Sequence, residues 1–178
     1  MSDAIKNVED IEKIKECLKI NNKRNYLLFV IGINTGIKSN NIIKLRLKDL
    51  CNEKKECKNY IEIENIIYPI NKSIKQAMEE FLKENTFELN SYLFVGKGSE
   101  NPINRSHLYR ILNKVVQECN IDIKIGNETL RKTFGYHYYL KTKDVKYLKH
   151  LFKKNSKQAL FEYLGIKDER TYNEEFFL

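Results

Sequence analysis

Apolar residues recur at helical spacing over most of the chain. In residues 8–20, VEDIEKIKECLKI, the side chains of Val8, Ile11, Ile14 and Leu18 fall three or four positions apart, which predicts an amphipathic helix. NNKR separates it from residues 24–34, a stretch apolar nearly all round, which predicts a buried helix. Gly36 suits the turn that ends it, and Ser39 can cap a third helix over residues 39–50, SNNIIKLRLKDL. The pattern then changes. Residues 59–63 and 66–70 are β-rich around Glu64-Asn65 and predict a short hairpin, with CNEKKECK before it as an irregular or edge strand. Further helices are predicted over residues 73–84, 104–119, 129–139, 144–152, 156–163 and 168–176. YLFV, residues 92–95, is a strand candidate, ended by the polar loop GKGSENP.

These elements describe a mainly α chain with a small antiparallel β-sheet, an α+β arrangement. Its 178 residues suit one domain, and a hydrophobic share of 42% supports a core. The net charge of +8 favours an anionic partner, nucleic acid being the usual one. Positive residues cluster in KINNKR, KGSENPINR and KTKDVKYLKHLFKKNSK. Lysine outnumbers arginine, which suits phosphate attraction better than base reading. The four cysteines, Cys17, Cys51, Cys57 and Cys119, lack zinc-site spacing and are expected as reduced thiols in a cytoplasmic protein. The N-terminus has no signal-peptide character, and YLLFVIGI is too short to span a bilayer, so no membrane is expected. There is no glycine-rich phosphate loop and no HExxH, and neither cofactor nor metal is expected.

The last third carries the candidate chemistry. Arg131 stands near the start of GNETLRKTFGYHYYLKTKDVKYLKHLFKKNSKQALFEYLGI and Tyr163 near its end. A guanidinium can grip a phosphate with two parallel hydrogen bonds, and a tyrosine can attack one. The plainer alternative for Tyr163 is an aromatic packed at helical spacing with Phe152 and Leu160.

Three blocks resemble one family, the tyrosine recombinases or phage integrases. ETLRKTFGYH with YLGI resembles the family's second arginine block and the end of its domain. NTGIKSNNIIKLRLKDL resembles the first arginine block, and YLFVGKGSENPINRSHLYRILNKV the strand, loop and helix between them. The resemblance runs from about residue 8 to the C-terminus. It implies a single integrase-like catalytic domain that holds double-stranded DNA and attacks a phosphodiester through tyrosine. The family's N-terminal helical core-binding domain has no counterpart in residues 1–178, so a separate partner is expected to supply it. DERTYNEEFFL resembles the segment that neighbouring subunits exchange, which implies a homo-oligomer on DNA, with Phe176, Phe177 and Leu178 at its tip.

Carried onto this sequence, the family's pattern is uneven. Its first arginine falls on Lys38, its histidine on Glu128, its second arginine on Arg131, a further histidine-like position on Lys154 and its nucleophile on Tyr163. The hairpin lysine is missing between Tyr60 and Pro69, and Lys55 or Lys58 substitutes only if the strand is displaced. The resemblance thus implies a catalytic set of Tyr163, Arg131, Lys38, Lys154 and Glu128. It also implies a DNA-binding set of Lys38, Arg105, Arg131, Lys132, Lys153 and Lys154. Lysine keeps charge without the planar fork of arginine, and a carboxylate at position 128 opposes a phosphate unless protonated or turned away. Losing one preorganised donor costs roughly 3 kcal/mol of transition-state stabilisation. The expectation is a degenerate active site with weak or absent cleavage and rejoining. An atypical nicking enzyme forming a 3′-phosphotyrosine, of recombinase or relaxase type, and a non-catalytic interaction module remain as alternatives.

Overall fold

The computed structural model describes residues 1–167. The helix expected over residues 168–176, together with Phe176, Phe177 and Leu178, lies outside them. Helix α1 (Val8–Asn21) is capped by Asn7, which accepts from the Glu9 amide, and it buries Ile11, Ile14 and Leu18. Val8, expected on that apolar stripe, is exposed. Helix α2 (Lys23–Thr35) is buried from Tyr26 to Gly32 and packs against α1, α5 (Lys72–Glu84) and α7 (Thr129–Thr142). It is the central helix, as its all-round apolar sequence requires. Gly36 ends it in the left-handed region at φ 69°, and a Cβ there would stand 2.5 Å from the ring of Phe134, so only glycine fits the turn.

The third helix expected over residues 39–50 is broken into α3 (Ser39–Ile42) and α4 (Leu47–Leu50). The cause is a long-range competitor. Arg46 is extended and bridges Tyr92, the Leu93 amide donates to Leu45 O, and the Leu47 amide donates to Ser91 O. The Arg46 guanidinium also lies 3.8 Å from the centre of the Tyr92 ring. YLFV is therefore held by isolated bridges, Arg46 to Tyr92 and Val95 to Pro102, rather than forming a strand of a sheet. Ser39 does not cap. Lys38 occupies the cap position, and the Ser39 hydroxyl donates to Asn127 O at 2.5 Å.

The hairpin forms as read. β1 (Tyr60–Ile63) pairs antiparallel with β2 (Ile66–Pro69), Ile61 opposite Tyr68, around Glu64 and Asn65, both at positive φ. That backbone matches the right-handed twist of the two strands. Ile61 and Tyr68 are buried, while Tyr60, Glu62, Ile67 and Pro69 are exposed. Helix α6 (Arg105–Glu118), capped by Asn104, packs on α1. Helices α8 (Val145–Phe152) and α9 (Lys157–Leu164) are the last among the described residues and pack on α7 and on each other.

Residues 2–6 form a strap the sequence did not announce. Ala4 and Ile5 are buried, the Ile5 amide donates to Thr133 Oγ1 at 2.9 Å, and Asp3 exchanges hydrogen bonds with Lys124. Lys6 Nζ donates to Gly165 O at 2.6 Å, beyond the end of α9.

Candidate active site

Helices α7, α8 and α9 build the site. Glu128, at the N-cap of α7, Arg131 and Lys132 lie three and four residues apart and so share one side of its first turn. Tyr163 sits near the end of α9, which Ser156 caps by accepting from the Ala159 amide at 3.0 Å. The three helices approach closely because α7 carries Gly135. A Cβ there would stand 2.5 Å from the Phe152 ring and 2.6 Å from Leu164.

Arg131 is buried. One guanidinium nitrogen donates to Gly36 O at 2.6 Å and the other to Leu151 O at 2.7 Å, and the group lies 4.8 Å from the centre of the Phe152 ring. It thereby ties the turn after α2 to the end of α8. Burial raises the pKa values of both Tyr68 and Tyr163, and the Arg131 charge opposes that rise at each hydroxyl. Tyr68 belongs to the hairpin and was not foreseen. Its only sequence signal is its place on the inward face of β2.

Tyr163 packs against Phe152 with ring centres 5.4 Å apart, as the packing reading predicts, while its hydroxyl reaches the site. It donates to Glu128 Oε2 at 2.5 Å. Burial, and then the carboxylate of Glu128, push the phenol well above the usual tyrosine range, outweighing the opposing pull of Arg131. Lys154 Nζ stands 4.3 Å and Lys132 Nζ 5.0 Å from the centre of the Tyr163 ring. The phenol thus has cations against its ring and a carboxylate on its oxygen.

Lys132 is buried and donates to Ser2 O at 2.7 Å, and burial lowers its pKa. It faces the Tyr163 ring rather than open solvent. Its neighbour in sequence gave no sign of this, because the covering strap is 130 residues away. Lys153, exposed in a left-handed C-cap, and Lys154 line a shallow cavity of ≈ 570 Å³ with Ile66, Lys149, His150 and Asn155. This basic depression joins the tip of the hairpin to α8. Lys38 is exposed beside Ser39, whose hydroxyl bond to Asn127 O holds it near the residue preceding Glu128. Arg105 is exposed at the start of α6, and among the described residues no hydrogen bond or ring contact ties it to this cluster.

The hairpin strands run over residues 60–63 and 66–69, and neither Lys55 nor Lys58 lies on them. Lys58 Nζ donates to Lys48 O at 2.5 Å, and Lys55 lies in the exposed turn before β1. Among the described residues no group of three or more His, Cys, Asp or Glu side chains is gathered as for a metal ion, and no helix is long and apolar enough to cross a membrane.

Residues 6–170 match the sequence model of the phage integrase family. The chain is 35% identical over 171 residues to "Probable integrase/recombinase YoeC" of Bacillus subtilis (strain 168), covering 94% of this chain and 91% of that one. It is 24% identical over 170 residues to "Tyrosine recombinase" of Pseudothermotoga lettingae, covering 92% of this chain and 57% of that one. Among solved structures it resembles the XerA recombinase with a TM-score of 0.76 at 16% identity, over 98% of this chain and 64% of the other. It resembles the XerH recombinase, bound to a palindromic difH substrate after cleavage, with a TM-score of 0.72 at 20% identity, over 95% of this chain and 51% of the other. The chain therefore spans about half to two thirds of those two solved chains.

Proposed function

This chain belongs to the phage integrase family, the tyrosine recombinases, and from that premise we propose a DNA-binding integrase-like protein of a mobile element whose own strand cleavage is slow. The observation that carries this reading is the 2.5 Å bond from Tyr163 to Glu128. Attack on a phosphodiester requires the phenol to lose its proton, and the carboxylate beside it disfavours both the phenolate and an approaching phosphate. Arg131, Lys154 and Lys38 supply positive charge for the phosphate. No lysine stands on the hairpin to protonate the departing 5′ oxygen, and Tyr68, which faces Arg131 from that hairpin, is buried. Duplex DNA lies on the basic face formed by Lys38, Lys149, Lys153 and Lys154, and Arg105 extends the contact along α6. The protein works in the cytoplasm and self-associates on DNA through residues 168–178.

One observation favours a second reading, an active but atypical nicking enzyme. The same 2.5 Å separation places Glu128 within reach of the phenol proton as a general base. Glu128→Gln separates the two readings, since it relieves the opposing charge in the first and removes the base in the second.

The test of the proposed function is a nicked duplex that traps a covalent protein–DNA adduct. The native chain should bind the duplex at low salt and form adduct slowly, and Tyr163→Phe should form none. Rapid adduct formation by the native chain would defeat the slow-cleavage reading. Adduct unchanged in Tyr163→Phe would place the nucleophile on another tyrosine, such as Tyr172.

A further inference from the structure

Two of the four cysteines face each other across a turn away from the Tyr163 site. Cys51 and Cys57 form an isolated antiparallel bridge. The hydrogen bonds flanking it are Asn52 N to Glu56 O at 3.0 Å and Lys58 N to Leu50 O at 2.8 Å. These belong to the residues on either side, so Cys51 and Cys57 are a non-hydrogen-bonded cross-strand pair. Such pairs bring their Cα atoms to about 4.5 Å, the short end of the range a disulfide spans. The connecting turn is already organised. Asn52 Oδ1 accepts from the Lys54 amide at 2.9 Å and the Glu56 amide at 3.0 Å, and Asn52 Nδ2 donates to Glu56 Oε2 at 2.9 Å. Both thiols are free in this structure, Cys51 buried and Cys57 half-buried.

We propose that Cys51 and Cys57 are a reversible dithiol–disulfide couple that exchanges with low-molecular-weight disulfides such as oxidised glutathione. The two thiols have unequal roles. Cys57 is the accessible one, and its hydrogen bond with Cys51 brings its pKa down to about 7, so a large fraction is thiolate at neutral pH. Cys51 is pushed up, first by the same hydrogen bond and then by burial, and stays protonated until called on. The Cys57 thiolate attacks one sulfur of the glutathione disulfide, forms a mixed disulfide and releases one glutathione thiolate. That thiolate or water takes the Cys51 proton. Cys51 then attacks Cys57 Sγ and expels the second glutathione. In all the protein loses two protons and two electrons, and the glutathione disulfide becomes two thiols.

The Cα separation of such a pair lies within the range a disulfide spans, so the bond can close and reopen without rearranging the turn. It would pin the turn carrying Lys54 and Lys55 immediately before β1. The other two cysteines provide an internal contrast. Cys17 on α1 accepts from Asn21 Nδ2 at 3.3 Å and donates to Glu118 Oε2 at 3.6 Å, while Cys119 is raised by burial and by Cys17. No strand pairing holds those two in register.

The test uses the native full chain with oxidised glutathione at pH 7.5, followed by intact-mass and peptide analysis. The expected result is loss of two hydrogens without a lasting glutathione adduct, a linked peptide joining Cys51 to Cys57, and full reversal by dithiothreitol. Cys51→Ser and Cys51→Ala should instead stop at one stable glutathione on Cys57. The pH dependence of Cys57 alkylation by iodoacetamide should have its midpoint near 7. A native chain that keeps a stable glutathione on Cys57 would overturn the proposal. So would a Cys17–Cys119 link forming first, or no loss of thiols under conditions that oxidise dithiothreitol.

Discussion

Replacing Arg131 by alanine tests whether this residue holds the fold as well as any phosphate. Its guanidinium donates to Gly36 O at 2.6 Å and to Leu151 O at 2.7 Å and rests on the Phe152 ring. Hydrogen bonds from a charged donor contribute about 1.5–3 kcal/mol each, and the cation–ring contact about 0.5–2 kcal/mol. Some carbonyl hydration will follow truncation, so Arg131→Ala should destabilise the chain by about 3–5 kcal/mol. That is a large part of the roughly 5–15 kcal/mol of a typical domain and corresponds to a fall in Tm of about 6–20 °C. The assay is urea unfolding at pH 7 followed by circular dichroism, with Arg131→Lys beside it. Lysine keeps the charge but reaches only one carbonyl, so it should fall between native and alanine. A change within about 0.5 kcal/mol for Arg131→Ala would refute the reasoning. A consequence for binding studies is that DNA affinity of Arg131→Ala must be corrected for the folded fraction.

Duplex binding should weaken steeply between low and roughly 0.2 M salt, and Lys154→Ala and Lys38→Ala should each reduce the salt slope by about one, measured by fluorescence anisotropy. Gly135→Ala should cost about 1–3 kcal/mol, because its Cβ meets Phe152 at 2.5 Å and Leu164 at 2.6 Å; unchanged stability would mean α8 and α9 shift freely. The raised pKa of Tyr163 has a definite sign. Below the unfolded value of about 10 the phenol is neutral in both states and its contribution is fully present; as pH climbs from there towards the higher folded value, the unfolded chain ionises first and stability falls. The stability of the native chain relative to Tyr163→Phe should therefore decline above about pH 10, followed by urea midpoints.

Helical stripes and a β-rich pair around Glu64-Asn65 made most elements legible, because local pattern and tertiary burial agree there. The spacing of Lys154 and Tyr163 was equally readable, since one capped turn and one short helix connect them, and the structure sets that ammonium against the ring. Elements decided by distant partners were not legible. The break between α3 and α4 depends on Tyr92 and Leu93, which divert the backbone of Leu45 and Arg46. Lys132 reads as a surface cation until Ser2 covers it. Glu128 reads as a charge opposed to phosphate; that its carboxylate turns onto the Tyr163 hydroxyl depends on how α7 and α9 dock around Gly135.

The bond between Glu128 and Tyr163 is the centre of this account, and the single-turnover cleavage rate of Glu128→Gln relative to the native chain tests it most directly. A carboxylate about 5 Å from a phosphate oxygen, at an effective dielectric constant near 20, opposes it by about 3 kcal/mol, and each 1.4 kcal/mol is tenfold in rate. Allowing for screening, Glu128→Gln should form the Tyr163 adduct on a nicked duplex at least about tenfold faster than the native chain. A rate well below native would contradict the account and make Glu128 the base that takes the phenol proton.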